Sequence, residues 1–395
     1  MTFIEGLDED EDQAPPAVGG PVDPDEFFAS SAFRIIYQTN NFLLPQLRDL
    51  IDRGEVLNLR PEYQRRLRWS TAQKSRLIES LLLNIPIPPV FLYESDAARY
   101  EVMDGQQRLN AVQEFIAGDY ALSGLQVLRP LNGILYSRCP PRIKRALDRS
   151  SLSAIVLLLE SDPSNAGAIS IADIRRFVFD RLNTGGTRLN PQEIRNAIYP
   201  GAFNRALIEI SRLSVFTEIF EIPPYVEADP SEYYENEQRQ KNTLYSSMGD
   251  CQLVLRYFAL KDDENIRGSM KSMLDRGMQN RLGLSVENAV AERIAFDERL
   301  SLLYRLFEGR PFRLPPDEQG RSRISAALYD ASMVALNNAW DRREAIEADR
   351  ANIVARLADA LDRDDDLSLL TGQANTAQAV KDRIALMSSI LEPAA

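Results

Sequence analysis

The chain has 395 residues, 44% hydrophobic and 26% charged, an ordinary globular composition long enough for two domains or for one large domain with an appendage. It holds no histidine and only two cysteines, Cys139 and Cys251, which excludes histidine-ligated nucleases, Ser-His-Asp triads, Cys/His metal sites and a disulfide framework. The formal charge is −12, yet residues 1–26 carry nine acids and no Lys or Arg, so the acidity belongs to a tail and the body is nearly neutral. Such a body, with local arginine clusters, stays compatible with nucleic acid.

Residues 1–30 are acidic and Pro/Gly-rich and read as a disordered tail. Order is expected from about Phe33. Leu43, Leu44, Leu47, Leu50 and Ile51 recur at helical spacing, and Gly54 stops that helix. Val56–Leu59 is a short strand candidate. Ser70, three residues before Gln73, forms a capping box that opens a helix with Leu77, Ile78, Leu81 and Leu82 on one face. Pro89–Glu94 and Arg99–Met103 are expected strands of a hairpin. A helix follows with Leu109, Val112, Phe115 and Ile116 inward, ended by Gly118, and Leu152–Leu159 is a buried strand.

The remainder reads as helical. Ile171, Ile174, Phe177, Val178 and Leu182 make one stripe, and Asn190, Pro191 and Glu193 begin a capped helix. Ser231–Lys241 is expected to be a surface loop. No apolar run reaches the ~18 residues of a membrane span; the longest, 81–92, is cut by Asn84 and three prolines. With no basic start and apolar core of a signal peptide at the N-terminus, a cytoplasmic location and no membrane partner are expected.

Three clusters could carry chemistry. Asp104-Gly105-Gln106-Gln107-Arg108 joins the end of a strand to the start of a helix. Gly105 permits a tight turn, and the helix start presents backbone N–H groups to an anion. Arg108 sits in the first turn, where the helix dipole disfavours a cation; a bound anion would relieve the conflict, and guanidinium grips phosphate through two bonds. The same residues fit an Asp-Gly turn with a surface arginine. Arg60–Trp69 packs four arginines, one acid and two aromatics into ten residues, suited to phosphate and base contacts or to a solvated charged loop. Asn183-Thr184-Gly185-Gly186-Thr187 is a polar turn between helices, which a left-handed helix stop also explains.

Taken together, these segments resemble the DUF262 family, found as the N-terminal part of modification-dependent restriction endonucleases of the S/D type. The resemblance runs from Pro61, Tyr63, Gln64, Arg65 and Trp69 through Ile85–Pro89 and Asp104–Leu109. It continues through Phe179, Leu182, Asn183, Thr184, Gly185 and Gly186 to Glu193 and Asn196, and a weaker echo lies in Leu253–Leu260. It implies an α+β architecture, a ParB/sulfiredoxin-like domain followed by a mostly helical region, divided as 1–30, 31–165 and 166–395. It also links the Asp-Gly-Gln-Gln-Arg element to nucleoside triphosphate binding and hydrolysis. Many members add a His-Asn-His nuclease, which a chain without histidine cannot contain.

The expectation is a nucleotide-binding, NTP-hydrolysing sensor or regulatory subunit of a DNA-restriction or anti-phage system. Asp104, Gln107 and Arg108 are its catalytic candidates. Tyr63, Gln64, Arg65, Gly105, Gln106, Asn183, Thr184 and Gly185 are its nucleotide-binding candidates, with Mg²⁺ on Asp104. The helical C-terminal half would bind DNA or a separate nuclease subunit. Two alternatives stand: a metal-dependent ParB-like nuclease using Asp104 and Glu101, with Glu114 the other nearby acid, and a non-catalytic DNA-binding module.

Overall fold

The computed structural model describes residues 4–7, 36–52, 57–58, 69–96, 99–158, 177–178, 181, 190–225, 236–316, 320–371 and 375–393. Contacts divide the chain into one unit of residues 20–189 and another of residues 1–19 with 190–395. The α+β class expected from the sequence is what is observed: a single five-stranded sheet with helices in the first unit, and an almost wholly helical second unit.

In the first unit the elements run β1 (Ile36–Leu43), α1 (Leu44–Asp52), β2 (Leu57–Asn58), α2 (Thr71–Leu82), β3 (Val90–Asp96), β4 (Arg99–Asp104), α3 (Gln106–Ala117), α4 (Pro141–Arg149) and β5 (Ser151–Leu158). The sheet order is β1-β5-β3-β4-β2. β1 pairs antiparallel with β5, β5 parallel with β3, β3 antiparallel with β4, and β4 parallel with β2. Alternation decides what each face does. Val90, Leu92, Val102, Leu152, Ala154 and Val156 point to a core closed by α1, α2 and α3 through Leu44, Leu47, Ile78, Leu109, Val112 and Phe115. Phe91, Ile155 and Leu157 alternate with those residues and take the opposite face.

The expected caps form. The Ser70 side chain accepts from the Gln73 N–H while the Gln73 side chain accepts from the Ser70 N–H, and Asn190 and Glu193 make the same reciprocal pair. Gly118, at φ +89°, ends α3 as expected. One polar anchor of this unit was not foreseen. Glu79 on α2 is buried, and its carboxylate accepts the backbone N–H groups of Gln126 (3.2 Å), Val127 (2.8 Å) and Leu128 (2.7 Å). Burial alone would raise its pKa, but the three backbone donors outweigh that and lower it.

The second unit centres on a buried helix, Gly249–Leu260, and on stacked and edge-on rings of Phe203, Phe216, Phe220, Phe258, Phe296 and Tyr329. Arg256 and Asp330, both fully buried, pair at 2.6 Å. Arg383, 3.8 Å from the same carboxylate, is pushed down to about 10 by burial.

Three sequence expectations are corrected. The tail is structured at residues 4–7: Ile4–Glu5 pairs in parallel with Ile324–Ser325, Ile4 is buried, and the Gln252 side chain donates to the Leu7 carbonyl. Ile4, in a short apolar stretch ahead of the acidic run, supplies a strand that composition averaging hides. Part of the expected 231–241 loop is helix, Glu237–Lys241, with Asn236 accepting from the Arg239 N–H as its cap. The break between units falls after residue 189 rather than 165, because Phe177 and Val178 pack with the sheet.

Ile4→Ala should lower stability by about 2–5 kcal/mol, the usual range for emptying a buried isoleucine site, read as an earlier midpoint in chemical denaturation followed by circular dichroism. Glu79→Gln should destabilise at neutral pH. Because the folded pKa of Glu79 lies below its unfolded value, its contribution is present above the unfolded pKa and lost as pH falls through the folded one. The gap between wild type and Glu79→Gln should therefore close on acidification below the ordinary glutamate range; a gap of constant size from neutral to acid pH would contradict the assignment.

Candidate functional site

β4 ends at Asp104, and its pairing with β3 slips by one residue: Leu92 faces Val102, but Phe91 faces Asp104. Such a bulge re-aims the side chains that follow it. The slip places Asp104 opposite Phe91, on the strand position that belongs to the face opposite α1, α2 and α3.

Gly105 follows at φ +96° as the N-cap of α3, with no side-chain cap. A Cβ at this position would stand 2.5 Å from Val90 Cγ1, 2.9 Å from Val90 Cβ and 2.9 Å from Arg108 Nη2. Two independent constraints, a left-handed backbone and contact with a core valine, therefore demand glycine. The turn lets the backbone N–H groups of Arg108 and Leu109 both reach the Gly105 carbonyl at 3.0 Å, so α3 starts at once.

One helical turn on, Arg108 folds back over the start of its own helix. Its Nη2 donates to Asp104 Oδ2 at 2.7 Å and to the Pro89 carbonyl at 3.2 Å, while its buried Nε has no acceptor among the described residues. The Asp104 side chain remains 53% exposed and that of Arg108 only 16%. The cation in the first turn is thus held by an anion within the chain, Asp104, a partner that the sequence reading did not consider. Nor is Arg108 the surface arginine of the competing reading. Gln107 Oε1 accepts the backbone N–H of Trp69 at 3.0 Å, which ties the end of the Arg60–Trp69 segment to the first turn of α3.

Asp104, Gly105, Gln106, Gln107 and Arg108 are therefore together at one turn. Tyr63, Gln64, Arg65, Asn183, Thr184 and Gly185 lie outside the described residues. Of the carboxylates considered for a nuclease, Glu101, on β4, lies opposite Tyr93 and Glu114 is an ion-pair partner of Lys74, and no three His, Cys, Asp or Glu side chains converge among the described residues.

A feature not foreseen lies on the face of the sheet opposite α1, α2 and α3. Tyr37, Phe91, Ile155, Leu157 and Phe177 line a cavity of about 310 Å³, with the Arg181 guanidinium 4.9 Å from the centre of the Phe177 ring. This cavity and the Asp104–Arg108 pair meet at β3, since Phe91 lines the one and stands opposite Asp104, and the Pro89 carbonyl receives Arg108. A signal was available: Ala154–Leu158 is apolar at both parities, as a strand covered on both faces is.

Residues 46–200 match the family model described as the N-terminal domain of the GmrSD restriction endonuclease. This bears out the DUF262 resemblance and makes the sheet-bearing domain one related to restriction endonucleases. No curated protein and no solved structure matches the chain. Among the described residues no helix is long and apolar enough to cross a membrane.

Gly105→Ala should destabilise the sheet-bearing unit by more than about 1 kcal/mol, since a positive-φ penalty of that order is joined by overlap with Val90. Trimming the overlapping side chain should recover part of the loss. In a double-mutant cycle, Val90→Ala and Gly105→Ala should be less harmful together than their separate effects predict; strict additivity would refute the close approach as the cause.

Proposed function

We propose that the sheet-bearing unit binds a nucleoside triphosphate at the Asp104–Arg108 turn, hydrolyses it, and thereby regulates a restriction system that acts on foreign DNA. The observation that carries this reading is the arrangement of Arg108: a largely buried guanidinium at a helix N-terminus, held by one half-exposed carboxylate and keeping a buried Nε without an acceptor.

Magnitudes favour exchange of Asp104 for phosphate. An ion pair with one exposed member contributes about 0–1 kcal/mol, whereas each charge-assisted bond to phosphate contributes about 1.5–3 kcal/mol. A triphosphate at the start of α3 would gain the helix dipole as well. Arg108 would then grip phosphate through its fork, and Asp104, released, would orient the attacking water. Gln107 would position the Arg60–Trp69 segment through Trp69, bringing Tyr63, Gln64 and Arg65 toward the nucleotide. The apolar cavity beside Phe91 has the size of a small ligand pocket, about 300 Å³ at the lower end, and its aromatic walls suit a nucleobase. Asn183, Thr184 and Gly185 would complete the pocket.

Mg²⁺ fits this donor set, because the ion is commonly held by one or two carboxylates together with the substrate phosphates. Asp104, half exposed and bound through one oxygen, offers such a carboxylate. When bound, the ion would neutralise phosphate charge. Phosphoryl chemistry needs positioning and charge stabilisation rather than a histidine base.

Arg108→Ala should weaken nucleotide binding about tenfold or more, in line with the loss of a charge-assisted bond, and should abolish hydrolysis. Asp104→Ala should abolish hydrolysis while sparing affinity, and should raise it without Mg²⁺ because Arg108 loses its competing partner. Calorimetry and phosphate-release assays on both variants, with ATP, GTP, CTP and UTP, check this. Normal turnover by Asp104→Ala, or wild-type affinity in Arg108→Ala, would overturn the reading.

A further inference from the structure

α4 is short, basic and oddly charged for its position. Arg142, Arg145 and Arg149 are all exposed, and Arg138 is exposed just before the helix begins. At about 100° per residue the three helical arginines fall within about 60° of arc, and they span about 10 Å of helix. Among the described residues no side-chain hydrogen bond or ion pair engages any of these four arginines, although most arginines of the second unit are committed: Arg195 to Asp275, Arg281 to Asp262, Arg305 to Glu347, Arg350 to Glu308.

The helix dipole accounts for Arg149, in the last turn, but not for Arg142. The first turn has no acid, so Arg142 faces the positive end of the dipole unrelieved. The single acid of the helix, Asp148, lies against Tyr136. Lys144, the remaining cation, is used internally: its Nζ donates to the Ser137 carbonyl at 2.9 Å and stands 5.5 Å over the Tyr136 ring. Leu147 is buried and Ile143 half-buried, and they fix the opposite side of the helix toward the core. The outward side is therefore held rigidly and consists of arginine.

We propose that the arginine face of α4, Arg142, Arg145 and Arg149 with Arg138 at its head, is a docking surface for the phosphate backbone of duplex DNA. The choice of partner rests on the reading of this protein as one that acts on DNA. The chemistry of the face supports it independently. Guanidinium in place of ammonium suits phosphodiester oxygens, and a duplex presents a charge every ~1.7 Å of its axis, so a rigid row about 10 Å long meets several phosphates. A lipid surface is disfavoured because the face carries no large apolar residue to enter the membrane interface. The sequence reading places DNA or a separate nuclease subunit on the helical C-terminal half; this proposal puts a DNA contact on the sheet-bearing unit.

The test is fluorescence anisotropy of the full chain with a short labelled DNA duplex over a range of salt. Wild type should bind with a steep salt dependence. Arg142→Ala/Arg145→Ala/Arg149→Ala should lose about tenfold or more in affinity, and its slope of log affinity on log salt should shrink by about 0.9 for each contact removed. The matching triple lysine variant should retain most of the binding, and Arg145→Glu alone should weaken it if the triple alanine variant fails to fold. Unchanged binding by the alanine variant or by Arg145→Glu overturns the proposal, as does failure of wild type to bind duplex DNA or a preference for duplex RNA or anionic vesicles. Nucleotide calorimetry on the same proteins separates the two readings. Loss of DNA binding with no nucleotide binding in any variant leaves the surface standing and removes the nucleotide site; nucleotide binding with indifferent α4 variants does the reverse.

Discussion

The contact between Gly105 and Val90 governs the geometry of the candidate site. The chain must leave β4 and enter α3 with no intervening loop, and it does so by pressing a left-handed residue against a fully buried valine of the neighbouring strand. Any side chain there would push the helix start away from the sheet. With the hydrogen atom of glycine, α3 begins one residue past the strand, and Asp104 and Arg108 stand four residues apart across the turn, the spacing at which helical side chains meet. The bulge just upstream complements this by directing Asp104 to the face opposite α1, α2 and α3. Backbone geometry, more than side-chain choice, thus creates the juxtaposition of an exposed carboxylate and a buried guanidinium.

That juxtaposition is poor as a stabilising device. A cation in the first turn of a helix opposes the dipole, and an exposed aspartate recovers little of the loss. An apolar residue at position 108 could pack against Pro89 without leaving a buried Nε unsatisfied. An arrangement that forgoes stability in this way is expected where a ligand completes it. α4 has a similar imbalance: Arg142 in its first turn with no acid there, and Arg145 and Arg149 beside it with neither acids nor carbonyls bonded to them among the described residues. The two features differ in burial, and so in the ligand each could take. Arg108 sits in a recess beside a cavity and suits one small anion, whereas the α4 arginines form an open convex row and suit an extended one.

What could be read from the sequence followed local rules. The two capping boxes, the Gly118 stop and the inward faces of α2 and α3 depend on residues within four positions of each other, and all were legible. β1 was not. Its Gln38-Thr39-Asn40-Asn41 core has no apolar alternation, and it is a strand because eight residues find partners on β5 over a hundred positions away. Glu79 was equally hidden: on the sequence it is one more charge on an amphipathic helix, and only the fold brings three backbone donors to it. Ile4–Glu5 escaped for the same reason, being ordered by Ile324–Ser325 from the far end of the chain. At the site, the five-residue turn was legible because strand, turn and helix are contiguous. The capture of Arg108 by Asp104 was missed because an outside anion was sought where one already stood at four-residue spacing.

Gln107 shows how the separate motifs can act as one. Its amide oxygen holds the backbone of Trp69, a residue half-buried in the core whose N-terminal side leads directly into the arginine-rich run 60–68. A neutral amide suits this position, because it accepts one N–H bond without adding charge beside Asp104. The bond fixes where the arginine-rich run ends, and it does so on the same helix turn that carries Arg108. Movement of that turn when Arg108 exchanges Asp104 for phosphate would therefore be passed to the Trp69 backbone. A nucleotide-dependent signal needs an element that both responds to phosphate and is bonded to the segment it controls. On the proposed reading the first turn of α3 would meet both conditions, and the Gln107–Trp69 bond would be the route by which occupancy of the site reached the rest of the domain.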